Sequence, residues 1–271
     1  MATFKTIAVI GAGKMGEALI AGLLKYGSIK PKQLCAAEAD EFRRQYITKA
    51  YDVKCYEEAA KAVKECDIAF IAVKPSDMKT VLENIREALN PSKVLVTFAA
   101  GVQLDYVKQI VGENVPTLRA MPNLACQVGE GMISLSASPN VGENIRRDVE
   151  VLLRRVGKVI RVPEKLLDPA TAIAGSGPAY VYLMIETIAD AAVRLGFDRQ
   201  TAIGMVAQVF LGSSKIVLET QEHPAKLRDM VTTPSGTTAE ALYILERGGI
   251  RALFIDAVMK ATDRAHELAL Q

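Results

Sequence analysis

The sequence predicts an α/β protein in which a doubly wound, mostly parallel sheet over residues 1–162 is followed by an all-α region over residues 163–271. Three observations predict it. Short, continuous apolar runs alternate with helix-period segments through the first half, as expected of strands covered on both faces by crossover helices. The first of these runs ends in a glycine-rich turn that opens a helix. Beyond Pro163 the strand patterns stop and long helical patterns take over, a compositional shift of the kind that marks a domain boundary. With 271 residues, half of them hydrophobic, the chain suits two domains with room for a core.

Thr6-Ile7-Ala8-Val9-Ile10 reads as the first strand, and Gly11-Ala12-Gly13-Lys14-Met15-Gly16 follows it as G-x-G-x-x-G before an apolar-periodic helix, Glu17 to Lys25. Each glycine has a physical task. Gly11 permits the tight turn, Gly13 lets a pyrophosphate approach the backbone at the helix N-terminus, and Gly16 lets helix and strand pack closely. A second strand, Gln33 to Ala37, ends at Glu38. It lies about 20 residues past the last glycine, where an acid holds an adenosine ribose 2′-hydroxyl and repels a 2′-phosphate. Arg43 and Arg44 follow and could reach back, so the sequence favours NADH over NADPH without excluding NADPH; a solvated helix face is the alternative for the two arginines.

The alternation continues with Val53 to Cys55, helix Glu57 to Lys64, and strand Asp67 to Val73 running into Lys74-Pro75. Pro75 ends the strand and starts a helix through Leu89. Strand Val94 to Phe98 turns at Ala99-Ala100-Gly101, helix Leu104 to Val111 follows, and strand Thr117 to Ala120 turns at Met121-Pro122-Asn123. Met132 to Ser136, helix Glu143 to Arg155 and Lys158 to Val162 close the domain. Ligands of open α/β sheets sit beyond the carboxyl ends of strands, so these turns and Gly11 to Gly16 should line one edge, where a cofactor would lie.

In the second half, Gly175-Ser176-Gly177-Pro178 opens the helix Ala179 to Leu195, with Tyr180, Val181, Leu183, Met184, Ile185 and Ile188 spread almost all the way round. Such a helix must be buried on every side, which the region can hardly do alone, so a partner subunit is expected. Helix Arg199 to Glu219 carries Gly204, Ala207, Gly212, Ser213 and Ser214, small residues that allow close helix approach, and helix Ile250 to Leu268 is amphipathic. Between them, Thr233-Pro234-Ser235-Gly236-Thr237-Thr238 looks like a helix mouth for a small anion. Pro234 has no N–H to waste at a helix start, Gly236 allows close approach, and Thr237 and Thr238 add hydroxyls to unpaired first-turn N–H groups. The helix then runs Ala239 to Arg247 and stops at Gly248-Gly249. An ordinary capped helix is the plain alternative.

A formal net charge of +2 and a pI near 8.3 are too mild to predict nucleic-acid binding, which leaves a small molecule as the expected partner. Cys35, Cys55, Cys66 and Cys126 lack metal-ligand or disulfide-framework spacing, so no metal is expected and a reducing cytoplasm fits best. There is no signal-peptide pattern, and no apolar run is read as approaching the ~20 residues that span a bilayer, so no membrane partner is expected.

A nicotinamide enzyme that oxidises alcohols needs a base near the reacting carbon, and the chain offers little: His223 and His266 read as cap or surface residues. Reducing an imine demands less, because a protonated C=N already attracts hydride, so position and charge of the substrate matter most. Thr238 could hydrogen-bond the ring nitrogen and guide a proton from water, while the mouth at Thr233 to Thr238 holds a carboxylate.

These residues resemble the pyrroline-5-carboxylate reductase family along the whole length. The most specific stretch is His223-Pro224 through Asp229-Met230-Val231-Thr232-Thr233-Pro234-Ser235-Gly236-Thr237-Thr238 to Leu245-Glu246 and Gly248-Gly249. Ala172-Ile173-Ala174-Gly175-Ser176-Gly177-Pro178-Ala179-Tyr180, Ala72-Val73-Lys74-Pro75 and Gly11-Ala12-Gly13-Lys14-Met15-Gly16 support it. The resemblance implies an N-terminal Rossmann-type domain, a helical dimerisation domain interleaved with its partner, active sites at the dimer interface, and dimers that often assemble five to a ring. It further implies reduction of a cyclic imine carboxylate to proline by NAD(P)H. By the same resemblance Gly11, Ala12, Gly13, Lys14, Met15, Gly16, Ala72, Val73, Lys74, Pro75, Ala99, Ala100 and Gly101 contact the cofactor. Thr233, Gly236, Thr237 and Thr238 hold the substrate, with Thr238 and Ser176 next to the chemistry.

Two departures stand out. Glu38-Ala39 replaces the Asn-Arg or Ser-Arg type of pair suited to a 2′-phosphate, and Ser235 replaces the usual glycine of Pro-Gly-Gly, tolerable if its φ is negative. Two rivals are a β-hydroxyacid dehydrogenase, whose lysine four residues beyond the second glycine is here Val181, and a nicotinamide-binding protein without turnover.

Overall fold

The computed structural model of the chain describes residues 4–26 and 29–269. The first apolar run forms strand β1 (Ile7–Ile10) with every side chain buried. Ile7 and Val9 enter one hydrophobic layer, Ala8 and Ile10 the other. Polar alternation is absent from the strand because helices cover both faces. In chain order there follow α1 (Lys14–Tyr26), β2 (Leu34–Ala37), α2 (Glu41–Tyr51), β3 (Lys54–Tyr56), α3 (Ala59–Lys64), β4 (Ile68–Ile71), α4 (Met78–Ile85) and β5 (Val94–Thr97). Then come α5 (Leu104–Val111), β6 (Thr117–Met121), β7 (Gly131–Ala137), α6 (Glu143–Leu153), β8 (Gly157–Arg161) and α7 (Leu167–Ala170).

Among the described residues, eight strands form one sheet in the order β3-β2-β1-β4-β5-β6-β7-β8. Every pairing is parallel except β6 with β7. The expected doubly wound, mostly parallel sheet is therefore the fold, with its order reversing between β1 and β4. Element edges differ from the pattern where turn chemistry intervenes. Helical hydrogen bonding begins inside the glycine turn, with Glu17 N–H donating to Gly13 C=O at 2.8 Å. The segment expected to be one helix from Pro75 to Leu89 is instead a 3₁₀ turn (Pro75–Asp77), α4 and a second 3₁₀ turn (Arg86–Ala88).

The chain divides into two compact units, the first running to Ser176 and taking in the stretch from Ala261, the second spanning Gly177–Lys260. The first unit holds a buried ionic cluster in which Arg119 of β6 lies 2.7 Å from Asp168 and 3.5 Å from Glu164. Asp168 is also 3.2 Å from Nδ1 of His266. A buried guanidinium without such partners would be strongly destabilising.

Helices α8 (Gly177–Arg194), α9 (Arg199–Thr220), α10 (Pro224–Met230), α11 (Thr237–Arg247) and α12 (Ile250–Ala269) carry the rest of the chain. Asp198 caps α9 by accepting from Thr201 N–H at 2.9 Å, and His223 caps α10 by accepting from Ala225 N–H at 3.2 Å. The second unit's buried apolar cluster consists of Ala189, Ala202 and Val206. Large side chains such as Leu183, Val209, Leu211 and Ile255 stay exposed within the single chain. Contrary to the sequence expectation, α9 is long and apolar enough by length and composition to cross a membrane. Its glycines, serines and glutamines break the run to the eye while leaving its mean hydropathy high.

Candidate active site

In the first unit the candidate cofactor residues gather at the carboxyl ends of β1, β2, β4 and β5, around the β1/β4 reversal where open α/β sheets bind ligands. The three glycines of the turn after β1 meet different surroundings. Gly11 has φ +86°, and a Cβ there would lie 2.9 Å from the Ala72 carbonyl oxygen and 2.7 Å from the Val73 side chain. The turn after β4 is thus packed directly on the turn after β1. A Cβ on Gly16 would come within 1.9 Å of the Gly11 carbonyl oxygen, so helix and turn fit only without a side chain. Among the described residues, and its chain neighbours apart, no atom lies within 4 Å of the Cβ position of Gly13. Open backbone at the N-terminus of α1 fits a dinucleotide pyrophosphate. Gly101, with φ +75°, lets the chain reverse in the turn after β5.

Glu38, at the carboxyl end of β2, is fixed against the turn after β1. Its carboxylate accepts from Ala12 N–H at 2.8 Å and from Asp40 N–H at 3.2 Å. Arg43 and Arg44 are both engaged. Arg43 donates through Nε to the Ala12 carbonyl at 2.7 Å and pairs with Glu17, while Arg44 donates to the carbonyls of Glu38 at 2.9 Å and Ala39 at 2.6 Å. Neither is merely a solvated helix face. Glu17 also accepts from the hydroxyls of Tyr46 at 2.9 Å and Tyr51 at 2.8 Å. Burial pushes the Glu17 carboxyl up, but the bonds from Arg43, Tyr51 and Tyr46 outweigh it and hold it below the usual carboxylate range. This four-residue cluster was missed in the sequence. Its only trace is the spacing of Arg43, Tyr46 and Tyr51 on one helix.

Ser176 follows a π-helical turn, Thr171–Gly175, in which its own N–H bonds the Thr171 carbonyl at 2.9 Å. Such turns are rare and often lie at functional sites. Buried Asn123, in the turn after β6, donates to the Ala174 carbonyl at 3.0 Å and accepts from Met132 N–H at 3.2 Å. The Ser176 segment is thereby tied to the carboxyl edge of the sheet. The buried thiols are not nucleophiles: burial pushes Cys35 up to about 12 and Cys66 and Cys126 up to about 11, so all three stay protonated at neutral pH.

In the second unit Thr233, Gly236, Thr237 and Thr238 stand together at the start of α11, which begins at Thr237 with Gly236 as N-cap and no side-chain cap. Pro234 is not the first helical residue. Thr233 to Gly236 form a β-turn closed by Gly236 N–H to Thr233 C=O at 3.0 Å, with Pro234 at its second position and Ser235 at its third. Ser235 has φ +58°. The condition of a negative φ is not met, because proline followed by a left-handed residue is the type II pattern this turn requires. A Cβ on Gly236 would meet the Thr233 hydroxyl at 2.3 Å, so glycine keeps the N-terminus of α11 open. Uncapped first-turn N–H groups with two threonine hydroxyls suit a carboxylate.

Sheet order and the glycine turn after β1 define the class: an oxidoreductase with a Rossmann-type domain for a nicotinamide dinucleotide. Residues 6–101 match the family model described as NADP oxidoreductase coenzyme F420-dependent, and residues 164–268 match pyrroline-5-carboxylate reductase dimerisation. Pyrroline-5-carboxylate reductase of Methanosarcina acetivorans is 38% identical, with 97% of each chain covered, and that of Escherichia coli is 37% identical, with 98% of each covered. A crystal structure of Plasmodium falciparum pyrroline carboxylate reductase with NADP bound superposes with a TM-score of 0.90 at 30% identity, covering 99% of each chain. The chain belongs to the pyrroline-5-carboxylate reductase family. The matched dimerisation region contains the whole of α8 and α9, the helices whose large apolar side chains stay exposed in the single chain.

Proposed function

We propose that the chain reduces 1-pyrroline-5-carboxylate to L-proline, using the sheet edge of the first unit for NAD(P)H and the mouth of α11 for the substrate carboxylate. The observation that carries this reading is the pair of open backbone sites, at Gly13 and at Thr237-Thr238, in a chain related over its full length to reductases of this imine. The nicotinamide, when bound, supplies a hydride to the C=N carbon. Gly11 to Gly16, Ala72 to Pro75 and Ala99 to Gly101 hold and orient the dinucleotide. Gly236 and Thr237 fix the carboxylate, and the Thr238 hydroxyl bonds the ring nitrogen and guides a proton from water, being too weak an acid to supply one unaided. Ser176 borders the nicotinamide side. The start of the matched dimerisation region at residue 164 supports a domain boundary near Val162-Pro163.

NADH is the preferred cofactor in this reading, since Glu38 suits a free ribose hydroxyl and repels a phosphate. The active assembly is a homodimer built through the helical region, with five dimers to a ring as the family pattern. A cytoplasmic location fits the free cysteines. The purified protein should oxidise NADH with 1-pyrroline-5-carboxylate and should not reduce NAD+ with a β-hydroxyacid; the reverse would favour the dehydrogenase reading. Glu38→Ser should raise the ratio of kcat/KM for NADPH to that for NADH about tenfold or more. An unmoved ratio would mean that the ribose is read elsewhere.

A further inference from the structure

Ala12, in the middle of the dinucleotide turn, is held through both of its backbone groups. Its N–H donates to the Glu38 carboxylate at 2.8 Å, and its C=O accepts from Arg43 Nε at 2.7 Å. Arg43 comes from α2 and is held by Glu17 in the first turn of α1. Glu17 is 8% exposed and accepts from three donors, so its acceptor capacity is largely spent. The nearby Arg44 uses its guanidinium on the Glu38 and Ala39 carbonyls, with Glu57 3.8 Å away. Two arginines therefore flank the adenosine end of the edge, and a buried carboxylate neutralises the one nearer the glycines.

We propose that Glu17 is a positioning residue for the cofactor turn and a determinant of cofactor choice: by engaging Arg43 it fixes the Ala12 carbonyl and withholds that guanidinium from a 2′-phosphate. The inference rests on the reading that the ribose is recognised beside Glu38. It gives Arg43 a role opposite to that of a phosphate-binding arginine. The same cation serves as scaffold while a charge partner holds it, and becomes available to a dianion once that partner is neutral.

Glu17→Gln is nearly isosteric. Its amide oxygen can still accept from Arg43 and its NH2 can donate to the two tyrosine hydroxyls, which can rotate to accept, so the fold should survive while the charge is lost. Calorimetric titration with NADH and with NADPH reads the effect without turnover. The NADH Kd should rise about fivefold, and the ratio of NADPH to NADH affinity should move about fivefold or more towards NADPH. In the cofactor-free protein, amide exchange at Ala12 should accelerate. Arg43→Gln should weaken NADH similarly without favouring NADPH, and adding it to Glu17→Gln should abolish the gain for NADPH. Equal weakening of both cofactors by Glu17→Gln, or no weakening, would overturn the proposal. Should that variant not fold, an unchanged NADH Kd in Arg43→Gln would overturn it. A ratio that moves with Glu38→Ser but not with Glu17→Gln sinks this inference alone; a ratio that moves with neither sinks the ribose reading beneath it.

Discussion

The two units solve the burial problem in different ways. In the sheet unit, Phe70 and Ile20 are 0% exposed, and both faces of every central strand are covered by helices of the same chain. In the helical unit, Leu183, Val209 and Leu211 are each more than 60% exposed, on helices that match a dimerisation region. A half that closes its own core can present a rigid strand edge to a dinucleotide. A half that does not leaves apolar surface for an oligomer contact, so its helices are only as well positioned as the assembly.

The largest effect should come from breaking that assembly. Charges placed together on α9, as Val209→Asp with Leu211→Asp, would be buried without partners in a dimer, at a cost of several kcal/mol. Light scattering should then report a mass near the 29.3 kDa of one chain, with turnover lost. A fully active dimer would remove the contrast between the units.

Within the sheet unit, Gly16→Ala and Gly13→Ala sharpen the comparison. The first drives a methyl group into the Gly11 carbonyl and should cost about 1–3 kcal/mol in stability as well as cofactor binding. The second meets no atom of the described residues beyond its chain neighbours, so the melting temperature should hold while NADH affinity falls about tenfold. Equal destabilisation by both would contradict the assigned roles.

Thr238→Val belongs to the other half. Turnover of 1-pyrroline-5-carboxylate should fall about tenfold with NADH affinity nearly intact, and unchanged turnover would remove Thr238 from the site. The smallest effect is Ser235→Gly. It relieves a left-handed serine and should stabilise the protein by about 0.5–1 kcal/mol, read as a slightly higher Tm. A lower Tm would show that the serine side chain repays its strain.

The fold was legible because its signals are local. Unbroken apolar runs such as Ile7–Ile10 announce buried parallel strands, and the G-x-G-x-x-G turn locates the edge they share. The need for a partner was legible in the all-round apolar character of α8. What escaped depends on contacts distant in sequence. Glu17 meets Arg43, Tyr46 and Tyr51 only once α1 and α2 lie side by side, and Asn123 reaches Ala174 across 51 residues. The Ser235 dihedral was hidden for another reason: its identity argues against a left-handed turn that Pro234 and Gly236 impose.

The most direct measurement follows the reducing hydrogen. NADH deuterated at the transferred position of its nicotinamide, incubated with 1-pyrroline-5-carboxylate and the purified protein, should yield L-proline with one deuterium on the ring carbon that was doubly bonded to nitrogen. Unlabelled proline, or oxidised cofactor without proline, would contradict the proposed hydride transfer from nicotinamide to this imine.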